Sequence, residues 1–216
     1  MTKRGVFITF EGPEGSGKST QLRMLAAKLR EAGHDVLETQ EPGGTPIGAQ
    51  IRRVLLSAAN SDLCPTAELL LMFASRAQNV DQLILPALAA GQVVLCDRFT
   101  DSTLAYQGSA RGLGAEVVYE LDRIACRGLV PALTALIDID ADTGFERARR
   151  RNDRTQDSDS RMEQQTAAFH RTVREAYRQI AADDPRRVRL IDGARSREEV
   201  AADVMEAVTQ LLVSAK

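Results

Sequence analysis

The chain has 216 residues, of which 44% are hydrophobic and 27% charged, and carries a net charge of −2 at neutral pH. That length suits one sizeable core, and the balance excludes a disordered or fibrous chain. A charge so near zero also excludes a global pull toward nucleic acid or a membrane surface, so any anion binding must come from local clusters of basic residues.

The apolar run at residues 6–10 predicts a first strand. The glycine-rich stretch EGPEGSGKST follows it, and Leu22, Leu25, Ala26 and Leu29 then repeat at helical spacing until Gly33 stops the helix. Residues 36–39 predict a second strand, followed by helical windows at 47–57 and 66–90. Pro86 lies inside the longer window and predicts a kink or break near Asp81, which would cap a second segment. Further strands are predicted at 93–96, 133–139 and 188–191, and further helices at 116–127, 142–151, 162–182 and 196–213. Strands alternating with helices imply parallel pairing, hence an α/β layered fold with a five-stranded sheet covered on both faces. Ligands in such a fold belong at the carboxyl ends of the strands. Cys64, Cys96 and Cys126 show no CxxC spacing and read as buried reduced thiols, not a zinc site. The first apolar run is too short for a signal segment, and no window reaches the roughly 20 apolar residues of a membrane span, so a cytoplasmic protein is expected.

Gly12, Pro13, Glu14, Gly15, Ser16, Gly17, Lys18 and Ser19 match G-x-x-x-x-G-K-[ST] between a strand and a helix, and Thr20 follows. Glycines let successive backbone N–H groups point at one anion, and the helix N-terminus adds partial positive charge. Lys18 would reach the β and γ phosphates of ATP, and the hydroxyl of Ser19 would ligand Mg²⁺. Together with the alternating elements this predicts a three-layer P-loop NTPase fold. Asp97 closes the strand at 93–96 and is placed to hold the Mg²⁺ through water. Glu14 is the anomaly, a carboxylate in an anion-binding loop. It would repel a triphosphate, so its side chain should face the other way.

No N-K-x-D segment follows the fourth strand, which argues against a GTP switch, and a single domain over 1–216 points to a kinase of a small molecule. If the acceptor is a phosphate, its nucleophile is already ionised and the obstacle is repulsion between anions, so arginines should crowd the site. Arg52, Arg76 and Arg98 precede or follow strand ends, and Arg147, Arg149, Arg150, Arg151, Arg154 and Arg161 form a cluster. The polar run RRRNDRTQDSDSR lacks apolar periodicity and suits a mobile lid at about 147–161, with a disordered surface loop as the bland alternative.

The phosphate loop FEGPEGSGKST, then EPGGTPIG, ELLLMFASRAQ, VVLCDRFTDSTLAYQG and RMEQQTAAFHRTVREAY together make the sequence resemble the bacterial thymidylate kinase family over essentially its whole length. The resemblance implies ATP-dependent conversion of dTMP to dTDP with Mg²⁺, in a homodimer, with no nucleic-acid or membrane partner. It implies that Glu14 bonds the sugar 3′-hydroxyl, that Arg52 and Arg98 hold the acceptor phosphate, and that Arg76 and Gln107 meet the thymine edge. Thr103 would sit near the base, Tyr106 against the sugar 2′ position, and Glu41 on the acceptor side near metal or bound water. Phe73 or Met72 would cover the thymine. The loop carries no arginine, so the catalytic charge is expected from the lid, with Arg151 and Arg154 at the γ-phosphate and Arg147 beside adenine.

Overall fold

Five parallel strands form one sheet in the order β2-β3-β1-β4-β5. They are β1 (Val6–Glu11), β2 (Val36–Gln40), β3 (Val93–Asp97), β4 (Leu133–Asp138) and β5 (Val188–Asp192). The computed structural model describes residues 5–140, 142–147, 161, 162 and 164–214. Each predicted strand is present, one residue displaced at its carboxyl end.

The strands read as apolar on both faces because both are covered. Ile8, Phe10 and Leu95 pack on one face against Leu22, Leu25 and Leu29 of helix α1 (Lys18–Glu31), with Val200, Val204 and Val208 of the C-terminal helix. Phe7, Val94 and Cys96 point the other way, toward Leu69 and Phe73 of α3 (Pro65–Asn79) and Val118 of α6 (Ala115–Ala125). Beyond them, Leu55 and Leu56 of α2 (Pro46–Leu56) share a third cluster with Val173 and Tyr177 of α7 (Ala167–Asp183). The C-terminal helix is α8 (Arg197–Ser214). Helices on both faces of a parallel sheet make the three layers expected of this fold class.

Of the kink or break expected near Asp81, no break occurs, but the regular α-helical winding does change there. After α3 the chain stays helical through a wider π turn, Val80–Ile84, and continues as α4 (Leu85–Ala89). The wide turn absorbs the hydrogen bond that Pro86 lacks. Asp81 is no cap, and instead accepts a bond from Arg127 Nη2 at 2.8 Å. A helical run after β3 escapes the periodicity altogether. It comprises α5 (Thr100–Thr103) and the π-helical Leu104–Ala110. Its sequence, TDSTLAYQGSA, is dominated by residues that favour turns, and π-helical winding breaks the 3.6-residue apolar repeat. The window at 162–182 starts later, at Ala167, where the Thr166 hydroxyl accepts from the Phe169 N–H. Residues 142–147 are helical, and the rest of that window, 148–151, lies outside the described residues. Cys96 and Cys126 are buried and free, whereas Cys64 is exposed just ahead of α3, against the expectation of three buried thiols.

Candidate active site

Phe10 of β1 stands level with Asp97 of β3, so the loop leaving β1 and the turn leaving β3 emerge side by side at the carboxyl edge of the sheet. A cavity of about 480 Å³ opens there. The loop between β1 and α1 wraps tightly. Gly12 has φ +135, and a Cβ on it would stand 2.2 Å from the Ile137 carbonyl oxygen, so only glycine fits. Lys18 folds back over the loop, donating from Nζ to the Pro13 carbonyl at 2.8 Å and to Ser16 Oγ at 3.4 Å. Burial, with Arg98 nearby, pulls its ammonium down to about 8, against the opposing pull of Glu14, Asp97 and Glu11.

Ser19 Oγ donates to Asp97 Oδ2, and both residues line the cavity. A hydroxyl and one carboxylate are hard oxygen donors. They suit a Mg²⁺ that keeps most of its coordination for water and phosphate oxygens. Among the described residues no group of three or more His, Cys, Asp and Glu side chains is gathered as a closed metal cage.

Arg98 is the hub of the opposite wall. Its backbone has φ 72, sparsely populated for a residue with a side chain and worth on the order of 1–3 kcal/mol of strain. That kink turns the guanidinium toward the loop, where Nη2 donates to Glu14 Oε1 at 2.7 Å and to Tyr106 Oη at 3.2 Å. Nη1 donates to the Gly12 carbonyl at 3.2 Å, and to Ser102 Oγ and Tyr177 Oη at 3.0 Å each. The kink is held from below by Glu11, the last residue of β1, which accepts from the Phe99 N–H at 2.6 Å and from Tyr177 Oη at 3.0 Å. Burial and the neighbouring Asp101 push Glu11 up to about 7. Glu14 thus reaches across the cavity to the Arg98 guanidinium, where its charge is paired and would not meet the phosphates of a triphosphate.

Deeper in the cavity, Arg76 Nε donates to Glu41 Oε2 and Nη2 to Thr103 Oγ1 at 2.9 Å, while Asn79 Nδ2 supports Glu41 at 3.1 Å. Burial raises the Glu41 carboxyl and Arg76 opposes it. Glu41 is thus a buttress for Arg76. Arg52 lines the same wall and donates to the Pro42 carbonyl at 3.0 Å. Tyr106 and Gln107 complete it. Arg147 lines the cavity too, donating from Nη1 to the Gly193 carbonyl at 3.2 Å.

Two expected residues are corrected. Phe73 does not line the cavity. It is buried in the core beneath the Arg76 guanidinium, 4.8 Å from ring centroid to Cζ, and the residue before it, Met72, faces the space. Successive positions on a helix point about 100° apart, so Phe73 turns into the core while Met72 meets the cavity. Arg161, counted with the arginine cluster, is a buried anchor that donates to the Leu55 carbonyl and to Glu68, both at 2.6 Å. Arg151 and Arg154 lie outside the described residues, as do Arg149 and Arg150. Sequence reasoning missed Arg23, which lines the cavity, and the supports Glu11, Ser102, Glu68 and Tyr177. The signal for Glu11 was its place at the end of a buried strand, directly ahead of the loop.

The family model for thymidylate kinase matches residues 10–204. This chain belongs to the thymidylate kinase family. A protein named thymidylate kinase from Trichlorobacter lovleyi is 50% identical over 208 residues, 96% of this chain and 98% of that one. Another of the same name, from Pelobacter propionicus, is 49% identical over 95% of this chain and 94% of its own. Among solved structures, thymidylate kinase from Ehrlichia chaffeensis superposes with a TM-score of 0.76 at 32% identity, covering 95% of this chain and 99% of that chain. The expectations of a P-loop α/β fold and of this kinase family are both met. None of the helices among the described residues is long and apolar enough to cross a membrane.

Proposed function

We propose that this chain transfers the γ-phosphoryl group of ATP to dTMP, giving dTDP and ADP. The observation that carries the reading is the division of labour within one loop. Lys18 and the loop backbone face one side, while Glu14 reaches across to Arg98 and Tyr106 on the other. A loop that served only a triphosphate would have no use for that carboxylate.

In this reading the backbone N–H groups within residues 12–20, Pro13 excepted, hold the phosphates of ATP together with the Lys18 ammonium, and Arg147 lies on the adenine side. Ser19 and Asp97 hold Mg²⁺, which when bound neutralises charge on the β and γ oxygens. Arg52 and Arg98 bind the acceptor phosphate, Glu14 bonds the sugar 3′-hydroxyl, and Tyr106 packs against the 2′ position. Arg76, Thr103 and Gln107 meet the thymine edge, Met72 covers the ring, and Glu41 fixes Arg76. The acceptor phosphate needs no general base, so the protein's work is positioning and charge stabilisation. Arg151 and Arg154 add charge from a lid at about 147–161 on a single domain. We place the reaction in the cytoplasm, in a homodimer supported by the exposed apolar residues Leu70 on α3 and Tyr119 and Ile124 on α6.

Turnover with ATP and Mg²⁺ across dTMP, dCMP, dGMP and thymidine tests the assignment. The kcat/KM for dTMP should exceed the others by about 10²-fold or more, since a site built around specific hydrogen bonds rejects mismatched partners strongly. Faster turnover of any other member contradicts it.

A further inference from the structure

Glu68 lies in the first turn of α3, fully buried and outside the cavity. Four donors converge on its carboxyl. Gln107 Nε2 reaches Oε1 at 2.8 Å and Arg111 Nε reaches it at 3.2 Å. Arg111 Nη2 reaches Oε2 at 3.1 Å and Arg161 Nη2 at 2.6 Å. Burial alone would raise this carboxyl, but the bonds from Gln107, Arg111 and Arg161 prevail and hold it below the ordinary carboxylate value.

An ionised carboxylate only accepts hydrogen bonds. The Gln107 amide must therefore turn its NH₂ toward Glu68, because the flipped amide would press one acceptor oxygen against another. That leaves Oε1 as the end offered to the cavity, and among the described residues no hydrogen bond is made to it. Four residues earlier on the same helical run, Thr103 accepts from Arg76, whose guanidinium presents only donors. The wall thus shows a donor one turn away from an acceptor. A pyrimidine with a 4-oxo group and an N3–H matches that order, whereas a 4-amino pyrimidine, with its unprotonated N3, reverses both positions.

We propose that Glu68 is a positioning residue for base choice: it locks the Gln107 amide with its oxygen toward the acceptor, admitting 4-oxo pyrimidine monophosphates and rejecting 4-amino ones. The inference rests on the reading that Gln107 and Arg76 meet the base edge. Glu68→Gln supplies an NH₂ that can donate to Gln107 Oε1 and so lets the amide turn. The ratio of kcat/KM for dTMP to that for dCMP should fall by about tenfold or more. Glu68→Asp, which remains an acceptor only, should keep more of the ratio than Glu68→Gln. General loosening around Arg111 and Arg161 would lower both rates together and leave the ratio alone. A Glu68→Gln ratio within about threefold of the parent overturns the proposal. Gln107→Leu separates the layers. If it collapses the ratio while Glu68→Gln does not, base reading by Gln107 stands and the role of Glu68 falls. If it leaves the ratio unchanged, base reading by Gln107 falls with it. Should Glu68→Gln not fold, the unmutated protein bound to dTMP decides by NMR. Gln107 Nε2 protons nearer to Glu68 Hγ than to the thymine imide proton support the proposal, and the reverse order overturns it.

Discussion

Burial makes Lys18 a weaker base than a surface lysine, and this sets a pH limit on the donor side of the site. With its ammonium drawn down to about 8 from an ordinary 10.5, the free protein loses that charge as pH rises through about 8. The kcat/KM for ATP, which reports the free enzyme, should therefore fall above about pH 8. Bound phosphates favour the protonated form, so kcat should hold to higher pH. Lys18→Ala should lower kcat by about 10²–10³-fold and remove this limb from the profile. A parent profile that is flat through pH 9.5, or a variant with unchanged kcat, would sink the assignment. Stability carries the opposite sign. Between about 8 and 10.5 the unfolded chain holds a proton that folded Lys18 has lost, so this group's contribution rises with pH across that window.

The phosphate loop does not stand alone as an element, because the helical segment after β4 closes against it. Gly15 has φ +71, and a Cβ built there would stand 2.1 Å from the carbonyl oxygen of Gly144. A side chain at 15 must therefore push apart the loop and the segment at 142–147, from which Arg147 reaches the cavity. Gly15→Ala should cost on the order of 1–3 kcal/mol, seen as a lowered Tm, and weaken ATP binding about tenfold or more. A variant with parental Tm and ATP affinity would show that the close approach is not needed. Elements differed in how openly the sequence declared them, for physical reasons. The strands are short apolar runs buried on both faces, and α1 carries a clean apolar stripe ending at Gly33, so local pattern sufficed. The run from Thr100 to Ala110 is made helical by what it packs against and by the Glu11 anchor at its entrance, and tertiary context of that kind leaves no local trace.

Across the whole molecule, the legible part of the site was the part carried by short local motifs. Residues 12–20 and Asp97 announce themselves through spacing and through the rule that ligands gather at strand carboxyl ends. The supports that aim Arg98 and Gln107 do not, because they join distant stretches of chain. Tyr177 meets Glu11 across 166 residues, and Arg161 meets Glu68 across 93. Met72 and Phe73 could be told apart only once α3 had a face to bury. In the proposed reading these parts form one cavity in which a single loop separates a donor side from an acceptor side, and the acceptor phosphate is itself the nucleophile. Transfer should then be direct and in line, and a single displacement inverts configuration at phosphorus. The decisive measurement uses ATP made chiral at its γ-phosphorus with oxygen isotopes, incubated with dTMP, Mg²⁺ and the purified chain. The dTDP formed should be inverted at its β-phosphorus; retained configuration, or no dTDP, would contradict direct transfer from ATP to dTMP.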